Sequence, residues 1–172
     1  RTSGRTLDAV PVRRFALNSQ PEGCAVNDRT GDLFVGEEAT GVYRLPLDPK
    51  SSTKPQDVLK VGPYLKKDVE GMAIYHGTDG DLLVVSSQGN DRYVLLDAKA
   101  PYQVRGIVRV SAAPREGIDG ASETDGLDVT SANLGGEYAQ GMLVVQDGRK
   151  RMPETPQNFK YVPWSRITQA LK

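Results

Sequence analysis

The chain has 172 residues, with 22 basic and 22 acidic side chains, enough for one domain with a core of its own. Balanced charge gives no electrostatic footing for nucleic acid or an anionic membrane, and no apolar run approaches the ~20 residues of a membrane span. A single cysteine, Cys24, excludes an internal disulfide and argues against a zinc cluster.

Residues 1–11 are polar and unpatterned, a loose lead-in. Residues 12–17 predict a strand, and Asn18-Ser19-Gln20-Pro21 predicts the turn that delivers Glu22-Gly23-Cys24-Ala25-Val26. Cys24, in a predicted buried strand, reads as an inert core thiol. After the turn Arg29-Thr30-Gly31-Asp32 come short apolar runs at 33–38 and 41–45. Residues 46–56, rich in Lys, Ser and Pro, are a connection, and residues 58–61 predict a strand.

Asp68-Val69-Glu70-Gly71 then repeats the acidic-glycine phrase. It is followed by the turn Thr78-Asp79-Gly80-Asp81 and by apolar runs at 82–88 and 92–96. His76, the only histidine, reads as an exposed turn residue. Residues 99–103 connect to a predicted strand at 104–110, and 112–124 is a long acidic loop. Asp125-Gly126-Leu127-Asp128-Val129 is the third occurrence of the phrase, with strands predicted at 142–147 and 158–162 and a loop at 148–157. Trp164 reads as a packing residue, and residues 165–172 predict a short terminal helix.

The phrase glycines Gly23, Gly71 and Gly126 stand 48 and 55 residues apart. Each phrase is followed by β-rich runs split by Gly/Asp/Asn turns, which reads as hairpins. With the run before each phrase, every unit has four strands, the pattern of a β-propeller blade of about 40–50 residues. The expected fold is all-β: three four-stranded blades, about 12–47, 58–98 and 104–164, within one domain. Propellers close with roughly 4–8 blades, so three blades leave two open flanks. The missing blades then come from another segment of the protein or from a second copy.

Equivalent positions of successive blades meet around the central axis. Glu22, Asp68, Glu70 and Asp125 are therefore expected to converge at one end of the channel, with Glu38, Gln88 and Asp147 at the ends of the next strands. Like charges about 4 Å apart repel by several kcal/mol at protein-surface dielectric. Such a rim calls for cations, and hard oxygen ligands without His or Cys point to calcium. Strand alternation favours Glu38 over Glu37 for the rim. Asp119-Gly120-Ala121-Ser122-Glu123-Thr124-Asp125 has the alternating acids of an EF-hand loop. It lacks the glycine at the sixth position, the closing Glu and the flanking helices, and so reads as a calcium loop of another kind.

At these residues the sequence resembles the β-propeller phytases, the calcium-dependent bacterial family. The matching phrases are Asn18-Ser19-Gln20-Pro21-Glu22-Gly23, Gly36-Glu37-Glu38, Asp68-Val69-Glu70-Gly71, Ser86-Ser87-Gln88-Gly89-Asn90, Glu123-Thr124-Asp125-Gly126-Leu127-Asp128-Val129, Val145-Gln146-Asp147-Gly148 and Gln157-Asn158-Phe159-Lys160-Tyr161-Val162-Pro163-Trp164. The resemblance covers about residues 12–167 and implies the C-terminal half of a six-bladed propeller. It implies hydrolysis of phytate (inositol hexakisphosphate) by a calcium-activated water, with several Ca2+ ions. Positions matching calcium ligands are Glu22, Glu38, Asp68, Glu70, Gln88 and Asp125, of which Glu38, Asp68, Glu70 and Asp125 are the expected catalytic set. Asp119 matches a ligand of a further, stabilising calcium, whose other ligands the family draws from the loop after Asp147-Gly148. Here that loop reads Arg149-Lys150-Arg151-Met152, with neither carboxylate nor amide. The family's phosphate-gripping basic residues belong to the N-terminal half. The alternative reading is therefore a catalytically incomplete fragment that binds calcium and inositol phosphates; a purely structural segment fits the rim carboxylates less well. A secreted or periplasmic location follows from the resemblance.

Overall fold

The structure, a computed structural model, describes residues 2–3, 6–51 and 54–171. Among these residues it is all-β apart from one short helix and a few 3-10 turns. A two-stranded ribbon, β1 (Thr2–Ser3) with β2 (Thr6–Leu7), precedes three antiparallel sheets. The first sheet runs β3 (Pro21–Asn27), β4 (Asp32–Glu37), β5 (Gly41–Pro46), β6 (Gln56–Lys60). The second runs β7 (Val69–His76), β8 (Asp81–Ser87), β9 (Arg92–Asp97), β10 (Val104–Val108). The third runs β11 (Leu127–Thr130), β12 (Met142–Asp147), β13 (Asn158–Pro163), followed by α1 (Trp164–Ala170).

The arrangement is that of propeller blades without a closed ring. The inner strands β3, β7 and β11 are side by side, and each later strand steps outward. The turns are those the composition demands: at the β3–β4 turn Gly31 adopts φ 71°, open to glycine at little cost, and its amide donates to the Asn27 carbonyl at 2.8 Å.

Each sheet is amphipathic by alternation, and the two junctions hold two cores. Leu83, Val85, Val94 and Leu96 of the middle sheet pack toward Phe34 and Val42 of the first. Their neighbours Val84, Tyr93 and Leu95 face the other way, toward Leu143 and Val145 of the third and Trp164 and Ile167 of α1. The middle strands are thus apolar almost without interruption because both faces are covered, each buried side chain contributing about 1.5–3 kcal/mol. Trp164 stacks on Tyr75 with ring centroids 3.7 Å apart, the packing role expected of it.

The blade phase differs from expectation. The runs near 58–61 and 104–110 do not open the second and third blades. They form β6 and β10, the outermost strands of the preceding sheets. Alternation identifies a strand but not its partner, and consecutive strands most often pair with one another. Residues 12–17 form no strand; Arg13 instead ties this segment to the end of β5, donating to the Pro46 carbonyl at 2.7 Å. The third sheet consequently has three strands among the described residues, not four.

Candidate active site at the blade junction

The acidic-glycine phrase marks where pairing is interrupted. The β3–β4 register shifts between Pro21 and Cys24, and the β7–β8 register shifts between Val69 and Met72. These irregularities fall on Glu22-Gly23 and Glu70-Gly71. A bulge re-aims a side chain that would otherwise follow the pleat. The glycines are there because neighbouring blades touch backbone to backbone. A Cβ on Gly71 would sit 2.5 Å from the Asp125 carbonyl oxygen, and one on Gly23 would run into that of Glu70. The close approach is bonded: the Gly71 amide donates to the Asp125 carbonyl at 2.7 Å, and the Val69 amide to the Glu38 carbonyl at 3.1 Å.

Glu22, Glu70 and Asp125 consequently line one depression of about 350 Å³, together with Cys24 and Met72. Glu70 is buried, Glu38 and Asp68 are half-buried, and Glu22 and Asp125 are exposed. Burial, and then the charges of Glu22, Asp125, Glu38 and Asp68, push the Glu70 carboxyl up from 4.5 to about 7. Gln88 completes the cluster: its side-chain amide donates to Asp125 Oδ1 at 2.6 Å, and its backbone amide to the Asp68 carbonyl at 3.0 Å. Gln20, which sequence reasoning missed, donates to Glu22 Oε1, and Gln146 accepts from the Asp125 amide at 2.8 Å. Both glutamines lie within the matching phrases, the one signal that pointed to them.

The donor set is all oxygen and suits a hard cation. Among the described residues no three Asp, Glu, His or Cys side chains are gathered closely enough to hold an ion by themselves. Water or a phosphate ligand would therefore complete any such coordination.

A family model described as Phytase matches residues 3–172. The chain belongs to the phytase family. It is also 37% identical over 164 residues to a 3-phytase of Bacillus subtilis (strain 168). That match takes in 93% of this chain and 42% of the relative, so the chain spans about two fifths of the length of the curated protein it resembles.

Other candidates of this phytase-family chain lie away from the rim. Glu37 is fully buried and accepts from the Asn18 and Ser19 amides at 2.5 Å each. Burial alone would raise its carboxyl; those amides, with Tyr43 and Thr40, hold it below its ordinary value. Glu37 thus braces the turn, and Glu38 is among the charges that act on Glu70. Asp147 does not join the rim. It is buried against Lys160 Nζ at 2.8 Å and accepts from the Ser122 amide at 3.1 Å. Asp119 lies in the same corner, apart from the rim carboxylates. The Arg151 amide and the Lys160 ammonium beside it hold its carboxyl well below the usual range. His76 ends β7 with Nδ1 3.2 Å from Asp81, at the opposite end of that strand from Glu70. Cys24 is exposed, against expectation. Ala25 packs into the core between the first two sheets, so Cys24 and Val26 take the other face, which is exposed among the described residues.

Proposed function

We propose that this rim is the cation-holding part of a calcium-dependent phosphomonoesterase acting on phytate. The carrying observation is Glu70, set among four further carboxylates drawn from three blades, with no basic group among the charges that perturb it. Family membership and the 3-phytase relative support the substrate. Glu38, Asp68, Glu70 and Asp125 would hold calcium, with Glu22 and Gln88 beside them. Bound there, a divalent cation would reverse the local charge, attract phosphate groups and lower the pKa of a coordinated water. The bulges aim Glu22 and Glu70 into the depression, and Gln88 orients Asp125. Hydrolysis by water rather than by a side-chain nucleophile fits a chain whose one histidine is remote from the rim. An extracellular or periplasmic setting, where weak calcium sites fill, belongs to the same proposal.

We also read the chain as one part of a larger ring, its C-terminal half. Gly23 and Gly71 each abut the backbone of the next inner strand, whereas Gly126 has no atom within 4 Å of a would-be Cβ. Gly126 is where the next blade, or that of a second copy, would lie. Because the charges that perturb Glu70 are all acidic, a binding half without turnover is the second reading.

The test is phosphate release from phytate by this chain, in calcium and in excess chelator. Calcium-dependent release lost in Glu70→Ala supports catalysis by these residues. Calcium binding without release supports the second reading. Release that persists in chelator refutes the calcium mechanism.

A further inference from the structure

Asp119, where the family resemblance expects a ligand of a stabilising calcium, stands in a corner with Asp147 and Asn158, and the residues present do not fit such an ion. Lys160 Nζ, buried with its side chain 8% exposed, stands 2.8 Å from Asp119 Oδ1, 2.8 Å from Asp147 Oδ2 and 2.7 Å from Asn158 Oδ1. Lys150 Nζ is 3.9 Å from the same Asp119 oxygen. The outward oxygens are also engaged. Asp119 Oδ2 accepts from the Arg151 and Met152 amides, and Asp147 Oδ1 from those of Ser122 and Arg149 at 3.1 and 3.3 Å.

We propose that lysine ammonium groups, chiefly that of Lys160, occupy this corner in place of a metal ion and clasp the third blade's loops without calcium. Calcium seeks oxygens at about 2.3–2.6 Å and six to eight of them. An ion at that distance from these three oxygens would stand on the Lys160 nitrogen. Two lysines against two aspartates already balance the charge, so a divalent ion would add uncompensated positive charge in a buried place. The 149–152 segment offers no side-chain oxygen and reaches Asp119 through backbone amides, which repel a cation and hold an anion. The contacts with Asp147 and Asn158 are hydrogen bonds, and Asp119 Oδ1 forms an ion pair with the same ammonium at 2.8 Å. The clasp joins the loop before β11, the end of β12, the 149–152 loop and the start of β13.

Hydrogen exchange read by mass spectrometry on this chain tests it. Relative to peptides over 82–96 of the middle sheet, those over 118–124 and 147–153 should show the same protection, within about twofold, in calcium and in chelator. Lys160→Met should lower their protection at least tenfold in both conditions, and Asp119→Asn should leave the number of calcium ions bound per chain unchanged. A tenfold gain of protection in these peptides over that of the middle sheet, on adding calcium to the unsubstituted chain, would overturn the proposal. So would loss of one bound calcium in Asp119→Asn, or unchanged protection in Lys160→Met. The unsubstituted chain decides the matter even where a variant fails to fold, and none of these readouts depends on phytate hydrolysis.

Discussion

Replacing Glu70 with glutamine should stabilise the metal-free chain at alkaline pH. The Glu70 carboxyl is raised from 4.5 to about 7 by burial and by four neighbouring carboxylates. The folded state therefore binds more protons than the unfolded state between these values, and stability falls as pH rises through them. The penalty is absent below about 4.5 and complete above about 7. A tenfold change in proton affinity between the two states is worth about 1.36 kcal/mol, which sets an upper bound near 3 kcal/mol. Glu22 and Asp125 are exposed, so solvent screening reduces this to roughly 1–2 kcal/mol. For a chain of this size that is about 2–8 °C in Tm. Thermal unfolding in chelator at pH 4 and pH 8.5 measures it. The Glu70→Gln chain and its parent should melt together at pH 4, and the variant should melt higher at pH 8.5. Calcium should raise the parent's Tm more than the variant's, because the cation relieves the same repulsion. A variant that is less stable than the parent at pH 8.5 in chelator, or a difference equal at both pH values, would refute the reasoning.

Gly71→Ala should destabilise the chain by about 1–3 kcal/mol in denaturant titration, because its Cβ meets the Asp125 carbonyl and the Leu127 amide nitrogen at 2.5 and 2.9 Å. Gly126→Ala, facing open space, should leave the midpoint within about 0.5 kcal/mol while impairing association with further blades, read by sedimentation. Leu83→Ala, in the core shared by the first two sheets, should cost about 2–5 kcal/mol in the same titration. Cys24 should react with a maleimide as readily in the folded chain as in denaturant, and should be shielded in a longer protein that carries the preceding blade.

Most strands and most of the rim were legible in the sequence because both depend on local pattern, the run at 12–17 and Asp147 being the exceptions. The phrase around Gly23, Gly71 and Gly126 recurs because a backbone-to-backbone approach admits no side chain, and that requirement is written into each repeat. Equivalent positions of a repeat must converge, so Glu22, Asp68, Glu70 and Asp125 could be grouped without coordinates. Only the tertiary structure decided which sheet each outer strand joins, since the residues at 56–60 and 104–108 alternate alike whichever neighbour they pair with. It also decided burial. Cys24 sits in a β-rich run yet is exposed, because burial of a strand face depends on what lies opposite, and none of the described residues covers that face. Asp119 and Asp147 carry the charge and spacing of cation ligands, and what they hold is settled by a residue in another strand. Lys160 stands in one of the matching phrases with no role attached; its role comes from the fold placing its ammonium among three oxygens.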